Sequence, residues 1–273
     1  MRTKLDDQFP NCRIHYMQQR SPAWYDIKRG KLSASTVGAW LTEQPQCRMT
    51  VAEIKDELDK LGVDYAKSAK RDDLLAMLPP EMHVMSLTQT TEQAWEKAIC
   101  KALGGLSNHR GPEPMGIDPD GPEPENLGQW AIWNGIRLEP EAEAAFTLGT
   151  DLKLAKVGFC EHVSGLLGCS PDGLIVGHPE GFEGKCPLPE THVRYYRSGN
   201  LPDEYRDQVH FSMAVTGAQA WWFQSYVPDM PPFRIRVERD DYTEQMAAGI
   251  ERLVGDIEQA KMKLQRDIKR GIL

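Results

Sequence analysis

The sequence predicts a mixed α/β fold, in which helices flank a central mixed β-sheet and a small α-helical insert interrupts the core. Apolar residues recur at helical spacing over 127–150, 201–217 and 241–270, and in the last of these Met246, Ile250, Val254 and Ile257 are predicted to share the buried side. Short apolar and aromatic runs bounded by glycine and proline, which are typical of strands, fill 152–187 and 218–240. Because strands and helices alternate along the second half of the chain, the pattern indicates a sheet covered by helices.

Length and composition describe an ordinary globular chain. The 273 residues are 40% apolar and 26% charged, which suffices for one large domain over 1–273. No apolar run approaches the roughly 18 residues of a membrane span, and the N-terminal residues lack the apolar segment of a signal peptide. We therefore expect a cytoplasmic protein without membrane association.

Charge and metal-ligand spacing narrow the functional classes. The net charge of −8 argues against a generic nucleic-acid binder, yet residues 1–31 hold seven Lys and Arg against three Asp. A net-negative protein can still concentrate positive potential inside a groove. The six cysteines and seven histidines are dispersed, without CxxC or HExxH, so we expect isolated side chains in a reducing compartment rather than a zinc or iron–sulfur site.

A basic turn and a cluster of hydroxyls follow the first predicted helix. Ser33 and Ser35 stand where a second helix is expected to begin, next to Lys28, Arg29 and Lys31. The serines are consistent with ordinary helix N-caps. Hydroxyls and backbone N–H groups at a helix start, beside cations, also form a phosphate site, and the residues alone leave both interpretations open.

Residues 49–81 form a predicted inserted module. A capping-box pattern opens its first helix, in which Ile54, Leu58 and Leu61 follow at helical spacing, and Gly62 ends that helix. Two short helices around an extended linker resemble the SAP/HeH family of helix–extension–helix modules, many of which bind DNA. The helices and linker hold five basic and seven acidic side chains, so DNA binding, protein docking and a decorative role stay open.

Between this module and the strands, the sequence predicts two helices and a loop. A helix over 90–105 ends at a glycine pair. The stretch 106–128 repeats GPEP and is rich in proline, glycine and acid, so we predict a surface loop. In the helix over 127–150, Glu139 and Glu143 fall on one face, and acids on a helix face are ordinarily solvated.

Two carboxylates and a lysine are concentrated in the stretch CSPDGLIVGHPEGFEGKCP. Asp172 lies in a Ser-Pro-Asp-Gly turn within a strand predicted over 165–177, and Glu183 and Lys185 lie on the next strand, which we expect to pair with it. Glu183 and Lys185 are two residues apart, so their side chains share a face of the sheet. Oxygen ligands of this kind, with the Gly184 carbonyl, suit Mg²⁺, and Lys185 would orient a water or stabilise negative charge on a phosphate.

The same residues are also consistent with a charged hairpin that has no catalytic role. Two close carboxylates repel one another, and a neighbouring lysine relieves part of that repulsion in a salt bridge. Pro171 and Gly173 fix the turn around Asp172 and favour a phosphodiesterase-type metal site. The spacing by itself leaves both interpretations open.

Ordered motifs around this stretch resemble the lambda exonuclease and YqaJ-type viral recombinase family of PD-(D/E)xK nucleases. SPDGL followed by EGKCP resembles the core of that family. Four further segments resemble its N-terminal segment, glutamate helix, glutamine helix with the next strand, and final strand end: WYDIKRGKLSASTV, NGIRLEPEAEAAF, YRDQVHFSMAVTGAQAWWFQSYVP and RVERDD. The resemblance covers 21–42, 90–105 and 127–270, and it implies a restriction-endonuclease-like nuclease core.

The resemblance also implies the roles of individual residues. It implies this catalytic set: Asp172, Glu183, Lys185, Glu139 and Gln208. Asp172, Glu183 and the Gly184 carbonyl would hold Mg²⁺, for which Mn²⁺ would substitute, while Lys185 acts on the attacking water. Glu139 would join the metal or water network, which replaces its interpretation as a solvated acid.

A terminal 5′-phosphate would be held near the first helix. The resemblance implies that Ser35, together with Ser33, holds this phosphate. The family usually has arginine at the position of Lys28, and here Arg29 follows that lysine. Lysine binds phosphate as a point charge without the bidentate fork of arginine, so the residues do not decide between Lys28 and Arg29.

The function implied by the resemblance is 5′→3′ exonuclease activity on double-stranded DNA ends. The family leaves 3′ single-stranded tails, acts as a ring-shaped homotrimer and passes the tail to a single-strand annealing protein during phage-type recombination. We accordingly expect a phage or prophage protein in the cytoplasm of a bacterial host. Two alternatives stay open: a structure- or sequence-specific endonuclease of the same fold, and a non-catalytic DNA-binding adaptor that acts through the inserted module.

Overall fold

The computed structural model describes residues 4–34, 51–70, 73–74, 76–79, 99, 118 and 121–270. Its helices are α1 Pro22–Lys28, α2 Val51–Lys60, α3 Leu127–Thr150, α4 Pro189–Ser198, α5 Asp203–Thr216 and α6 Asp241–Lys269. Its strands are β1 Cys12–His15, β2 Leu32–Ser33, β3 Leu154–Ala155, β4 Phe159–His162, β5 Leu167–Cys169, β6 Gly173–Ile175, β7 Glu180–Lys185, β8 Ala220–Ser225 and β9 Phe233–Glu238. Within these residues no helix has an apolar stretch long enough to cross a membrane.

The strands form two mixed sheets, which confirms the mixed α/β fold class. One sheet has the order β1-β4-β5-β2 and the other has the order β3-β6-β7-β8-β9. In the second sheet, β7 pairs antiparallel with β6 and parallel with β8. The parallel pairing needs a crossover, and α4 and α5 provide it, as is usual for parallel strands.

The strand predicted over 165–177 is in fact two strands in different sheets. β5 ends at Cys169 and pairs with β4, whereas β6 begins at Gly173 and pairs with β7. Pro171 lies between them, and it cannot donate a hydrogen bond to a sheet ladder. The prediction of one continuous strand was therefore wrong at this turn, although the predicted pairing of the Asp172 segment with the Glu183 strand is present.

Helix α5 carries much of the apolar core between the sheets and α6. All residues from Val209 to Thr216 are buried, and the helix contacts β4, β5, β8 and α6. Along α6, Met246, Ile250 and Ile257 are buried as predicted, but Leu253 is buried in place of Val254. An Asp240 capping box with Thr243 fixes the start of α6.

Helix α3 packs on the five-stranded sheet through Phe146. The Phe146 side chain is fully buried, and its ring centroid lies 4.5 Å from that of Phe182 and 5.6 Å from that of Trp222. We expect Phe146→Ala to lower the free energy of unfolding by about 3–5 kcal/mol, because the substitution leaves a cavity under the helix. Urea unfolding measures this. Leu148→Ala is the control on the same helix, since that side chain is 83% exposed and its loss should change stability by less than about 0.5 kcal/mol.

Residue contacts divide the chain into two units, 1–37 with 99–273 and, separately, 38–98. The second unit contains α2 and has a small core of its own, formed by Ile54, Leu58, Leu74 and Leu78. Leu61, which the helical spacing placed on the same side, is 43% exposed. The helix ends at Lys60, and Gly62 has a φ of +67°, so Leu61 already belongs to the turn.

Two predicted segments fall mostly outside the described residues. They are the helix over 90–105, of which only 99 is described, and the proline- and glycine-rich loop over 106–128. The division into a nuclease domain with an insert over 49–81 stays a prediction.

Candidate functional site

The Ser-Pro-Asp turn places Asp172 directly beside the strand that carries Glu183. The backbone N–H of Asp172 donates to the Phe182 carbonyl oxygen at 3.1 Å, which continues the β6–β7 ladder by one residue. The backbone N–H of Gly184 donates in turn to Asp172 Oδ2 at 2.8 Å. The turn and the ladder together fix the Asp172 carboxylate against the end of β7.

Glu183 lies at the centre of a charged cluster and is only 3% exposed. Lys185 donates from Nζ to Glu183 Oε1, and Gln208 donates from Nε2 to the same oxygen at 2.6 Å. The Lys185 ammonium also lies 5.3 Å from the ring centroid of Tyr205, one turn from Gln208 on α5. The fold therefore brings two of the predicted site residues, Lys185 and Gln208, to the carboxylate of a third, Glu183.

In this cluster the neighbouring Lys185 only partly balances the negative charges of Asp172 and Glu183. Burial, followed by the negative charge of Glu183, raises the pKa of Asp172 to about 7, while Lys185 and the Gly184 N–H oppose the rise. Burial lowers the pKa of Lys185, but Glu183 and Asp172 outweigh it and the net shift is upward. Lys185 is thus held as the ammonium, and a proton or a cation bound at Asp172 would relieve the repulsion between the two carboxylates.

Two acids on one face of α3 border the same site, each paired with a cation. Glu139 forms a two-point ion pair with Arg20, at 2.6 Å from Oε1 to Nη2 and 3.2 Å from Oε2 to Nη1. Glu143 accepts from Lys156 Nζ, which also donates to the Asp172 carbonyl oxygen at 3.1 Å. A small pocket between α3 and β7 is lined by Glu139, Glu143, Asp172, Gly184 and Cys186.

A polar network joins α3 to the sheet and so fixes the positions of Glu139 and Glu143 relative to the sheet. Gln224 on β8 donates from Nε2 to the Ala142 carbonyl oxygen and accepts from Arg234 Nε, both at 2.6 Å. Arg234 reaches the Ala145 carbonyl oxygen at 2.7 Å. A Cβ atom at Gly149 would stand 2.2 Å from Arg234 Nη1, so a larger residue there would displace the guanidinium.

The donor set fits Mg²⁺ or Mn²⁺ better than a soft metal. Among the described residues, no three His, Cys, Asp or Glu side chains are close enough together to hold an ion by themselves. Mg²⁺, however, keeps several waters and needs only one or two carboxylates besides substrate phosphate oxygens. Asp172 and Glu183 supply these carboxylates, and a divalent cation would offset both the burial and the repulsion from Glu183 that raise the pKa of Asp172.

Gln208 is expected to orient Glu183 toward such a cation. We predict that Gln208→Ala weakens Mg²⁺ binding about tenfold, because Glu183 then loses one of the two donors to Oε1. Isothermal titration of DNA-free protein with Mg²⁺ measures the effect. Gln219→Ala is the matched control, since its amide is exposed and donates to the nearby Gly217 carbonyl oxygen at 3.4 Å. Equal affinities for both variants and the wild type would contradict this role.

The predicted phosphate-binding residues are only partly described. The Lys28 ammonium stacks over the Trp24 ring at 3.7 Å, and Arg29 pairs with Asp26 at 2.7 Å. Ser33 lies in β2, opposite Gly168. Ser35 lies outside the described residues. The phosphate site therefore stays a prediction for all four residues, Lys28, Arg29, Ser33 and Ser35.

Sequence reasoning missed the residues just before α1 and one residue of the strand region. Gln19 donates from Nε2 to the Pro171 carbonyl oxygen at 2.8 Å, and Arg20 is the partner of Glu139. Trp24 donates from Nε1 to Ser170 Oγ at 3.1 Å. Lys156 was likewise not singled out. The basic character of residues 1–31 was a signal, but it did not indicate which cation reaches the carboxylates.

A larger cavity lies elsewhere in the same unit. It has a volume of about 660 Å³ and is lined by residues of β1, β4 and the following turn, including Arg13, Tyr16 and His162. Among the lining residues that the structure describes, none is shared with the pocket between α3 and β7. Because Asp172 and Glu183 do not line this cavity, we do not place the chemistry there.

A comparison with known proteins matches the part of the chain that holds these residues. A family model described as a YqaJ-like viral recombinase domain matches residues 111–219. That range contains the clustered residues Asp172, Glu183, Gly184, Lys185 and Gln208, and also Glu139.

Two solved structures share the fold, and a third is less similar. Two are of LHK-Exo: one in complex with dAMP, the other titled as an alkaline exonuclease from Laribacter hongkongensis. Each is 23% identical to this chain with a TM-score of 0.52, and the match covers 90% of this chain and 99% of that chain. A phage-related exonuclease from Haemophilus somnus 129PT is 12% identical, with a TM-score of 0.46, over 86% of this chain and 96% of that chain. Residues 111–219 are therefore similar to a YqaJ-like viral recombinase domain, and the chain has the fold of the alkaline exonuclease LHK-Exo.

Proposed function

We propose that the protein is a metal-dependent deoxyribonuclease that degrades double-stranded DNA from its ends in the 5′→3′ direction and leaves 3′ single-stranded tails. The observation that carries this proposal is the convergence of Asp172, Glu183, Lys185 and Gln208 at the end of β7. Carboxylates with an adjacent ammonium are the groups that metal-assisted phosphodiester hydrolysis requires. The recombinase domain match and the shared fold with an alkaline exonuclease support the same reaction class.

In this proposal the site residues divide the work of hydrolysis. Asp172 and Glu183, with the Gly184 carbonyl, would hold Mg²⁺ or Mn²⁺, which when bound neutralises phosphate charge and makes a coordinated water more acidic. Lys185 orients the attacking water and stabilises charge that develops on the phosphate oxygens. Gln208 keeps Glu183 in place, and Glu139 extends the network along α3.

The bond changes explain why an end-dependent reaction can repeat. Water oxygen attacks the phosphorus, the P–O3′ bond breaks, and the released nucleotide keeps its own 5′-phosphate and takes a proton on its 3′ oxygen. The shortened strand therefore ends in a new 5′-phosphate. The product class agrees with the dAMP bound to LHK-Exo. Lys28, Arg29, Ser33 and Ser35 would hold the terminal phosphate between cycles.

The family resemblance also suggests an oligomeric state, a partner protein and a cellular location. We propose a homotrimer that encloses DNA and delivers the 3′ tail to a single-strand annealing protein, in the cytoplasm of a bacterial host. Phosphate contacts should dominate binding, which predicts weak sequence preference and a steep dependence on salt.

The test measures from which end of a linear duplex the protein removes nucleotides, and whether it cuts DNA that has no ends. Wild-type protein with Mg²⁺ is incubated with linear duplex DNA labelled at the 3′ or 5′ end, and with covalently closed circular DNA. Release of 5′ label as mononucleotide, retention of 3′ label and intact circles support the proposal. Cut circles would identify an endonuclease instead, and binding of DNA without any cleavage would identify a non-catalytic adaptor.

A further inference from the structure

Arg20 is held in an uncommon backbone conformation beside the carboxylate site. Its φ is +65°, in the left-handed region that residues other than glycine, asparagine and aspartate seldom adopt. Both neighbours fix it there. Gln19 donates to the carbonyl oxygens of Pro171 and Val157, at 2.8 and 3.3 Å, and Ser21 caps α1 by accepting from the Trp24 N–H at 3.3 Å. Strain of this kind persists where surrounding structure over-determines it, and it is common at functional sites.

The guanidinium of Arg20 uses both oxygens of Glu139. Its two N–H groups reach Oε1 at 2.6 Å and Oε2 at 3.2 Å, and the side chains are 41% and 36% exposed. At this exposure solvent screens the pair and both side chains can be reached by other partners, so a cation and a phosphate can compete for them. The positive charge of Arg20 is also felt by Asp172, across the pocket that Glu139 lines.

We propose that Arg20 exchanges partners. It pairs with Glu139 in the metal-free protein, and it would bind a phosphate of the DNA strand when the Glu139 carboxylate is bound to a divalent cation instead. This inference rests on the proposed function, because it deepens the account of the same site. A carboxylate whose two oxygens are engaged by a guanidinium is a poor cation ligand, so cation and guanidinium compete for it. Glu139 and Asp172 line the same pocket, so a guanidinium released from Glu139 would be available to a phosphate that enters this pocket, and its planar fork matches phosphate geometry.

The first arm of the test measures metal affinity without DNA. Isothermal titration with Mg²⁺ and with Mn²⁺ compares wild type with Arg20→Gln and Arg20→Gly, of which the glycine variant accepts the φ of +65° without strain. Both variants should bind the cation about three- to fivefold more tightly, because the competitor is gone. Arg236→Gln is the matched control: that arginine makes a similar two-point pair with Glu180, at 2.9 and 3.3 Å, at the other end of β7. It should leave metal affinity unchanged.

The second arm measures DNA binding by fluorescence anisotropy, in Mg²⁺, in a Lys185→Ala background so that the DNA survives. A 5′-phosphorylated linear duplex should bind Arg20→Gln more weakly, and the slope of log affinity against log salt should fall by about one phosphate contact. Arg20→Lys should keep most of the salt slope, since it retains a point charge. Arg236→Gln should match its parent.

The outcomes separate this inference from the proposed function. Metal affinity that is unchanged or lower in both the glutamine and the glycine variant would overturn the proposed competition between Arg20 and the cation. Arg20 would then be a residue that only positions Glu139. An unchanged salt slope would overturn the phosphate contact. Neither readout requires cleavage, so a wild-type protein that fails to cut DNA would refute the proposed function while the titration still reports on Arg20.

Discussion

Lys185→Ala is expected to lower the rate of linear-duplex cleavage by about a thousandfold or more, while DNA still binds. Among the described residues, Lys185 is the one ammonium held against Glu183, and its pKa is raised by Glu183 and Asp172 against the opposing effect of burial. It is therefore held as the ammonium at neutral pH. A fixed charge next to the reacting phosphate stabilises the transition state by several kcal/mol, and its loss appears in kcat.

The design of this experiment separates charge from packing. Lys185→Met keeps an apolar stem near the Tyr205 ring, which lies 5.3 Å from the ammonium, and should be as inactive as the alanine variant. Lys261→Ala is the matched control, since Lys261 pairs with Glu258 at 3.2 Å on α6 and should cleave like wild type. Substantial activity in Lys185→Met would mean that the stem rather than the charge matters, and would contradict the proposed role.

Asp172→Asn is expected to abolish metal binding and, at the same time, to stabilise the metal-free fold at alkaline pH. Burial and the charge of Glu183 raise the pKa of Asp172 to about 7 in the folded protein, from an ordinary value of 3.8. Between these two values the folded state binds more protons than the unfolded state, so stability falls as pH rises. The stability contributed by neutral Asp172 is fully present below pH 4 and is lost as pH passes 7.

The amide that Asp172→Asn introduces cannot ionise, so the variant avoids this loss. In EDTA above pH 8, Asp172→Asn should unfold at a higher urea concentration than wild type, with a gain of about 1–2 kcal/mol after allowing for partial solvent access. The gain should disappear near pH 4, and saturating Mg²⁺ should reverse it because only wild type binds the cation. Asp267→Asn on α6 serves as the control. A pH-independent difference between wild type and Asp172→Asn would contradict the titration of this carboxyl.

Much of the carboxylate site could be predicted because it depends on local periodicity. Glu183 and Lys185 share a face of β7 because strand side chains alternate, and the Lys185 ammonium does contact Glu183. The pairing of the Asp172 segment with that strand followed from a short turn between two apolar runs, and Gly173 does oppose Phe182. The contact of Gln208 with Glu183 came from family resemblance, since helix α5 and strand β7 lie 25 residues apart at this contact.

Other features could not be predicted because they depend on packing between distant segments. Apolar continuity suggested one strand over 165–177, but Pro171 ends it, and β5 and β6 pair in different sheets. On α6 the buried position is Leu253 rather than Val254, because the neighbouring elements decide which edge of an apolar stripe is covered. Leu61 has the correct helical spacing, yet α2 ends before it.

The sequence by itself determined the elements and the core of the site: the long helices, the carboxylate at the turn, and the glutamate and lysine two residues apart. These depend on interactions between residues near one another in the chain, which period and capping describe. Only the tertiary structure decided that Arg20 faces Glu139, 119 residues away, and that Lys156 pairs with Glu143. An ion pair between distant segments requires a particular backbone conformation at each residue, and Arg20 adopts the left-handed region with a φ of +65°. No local sequence pattern specifies such a conformation.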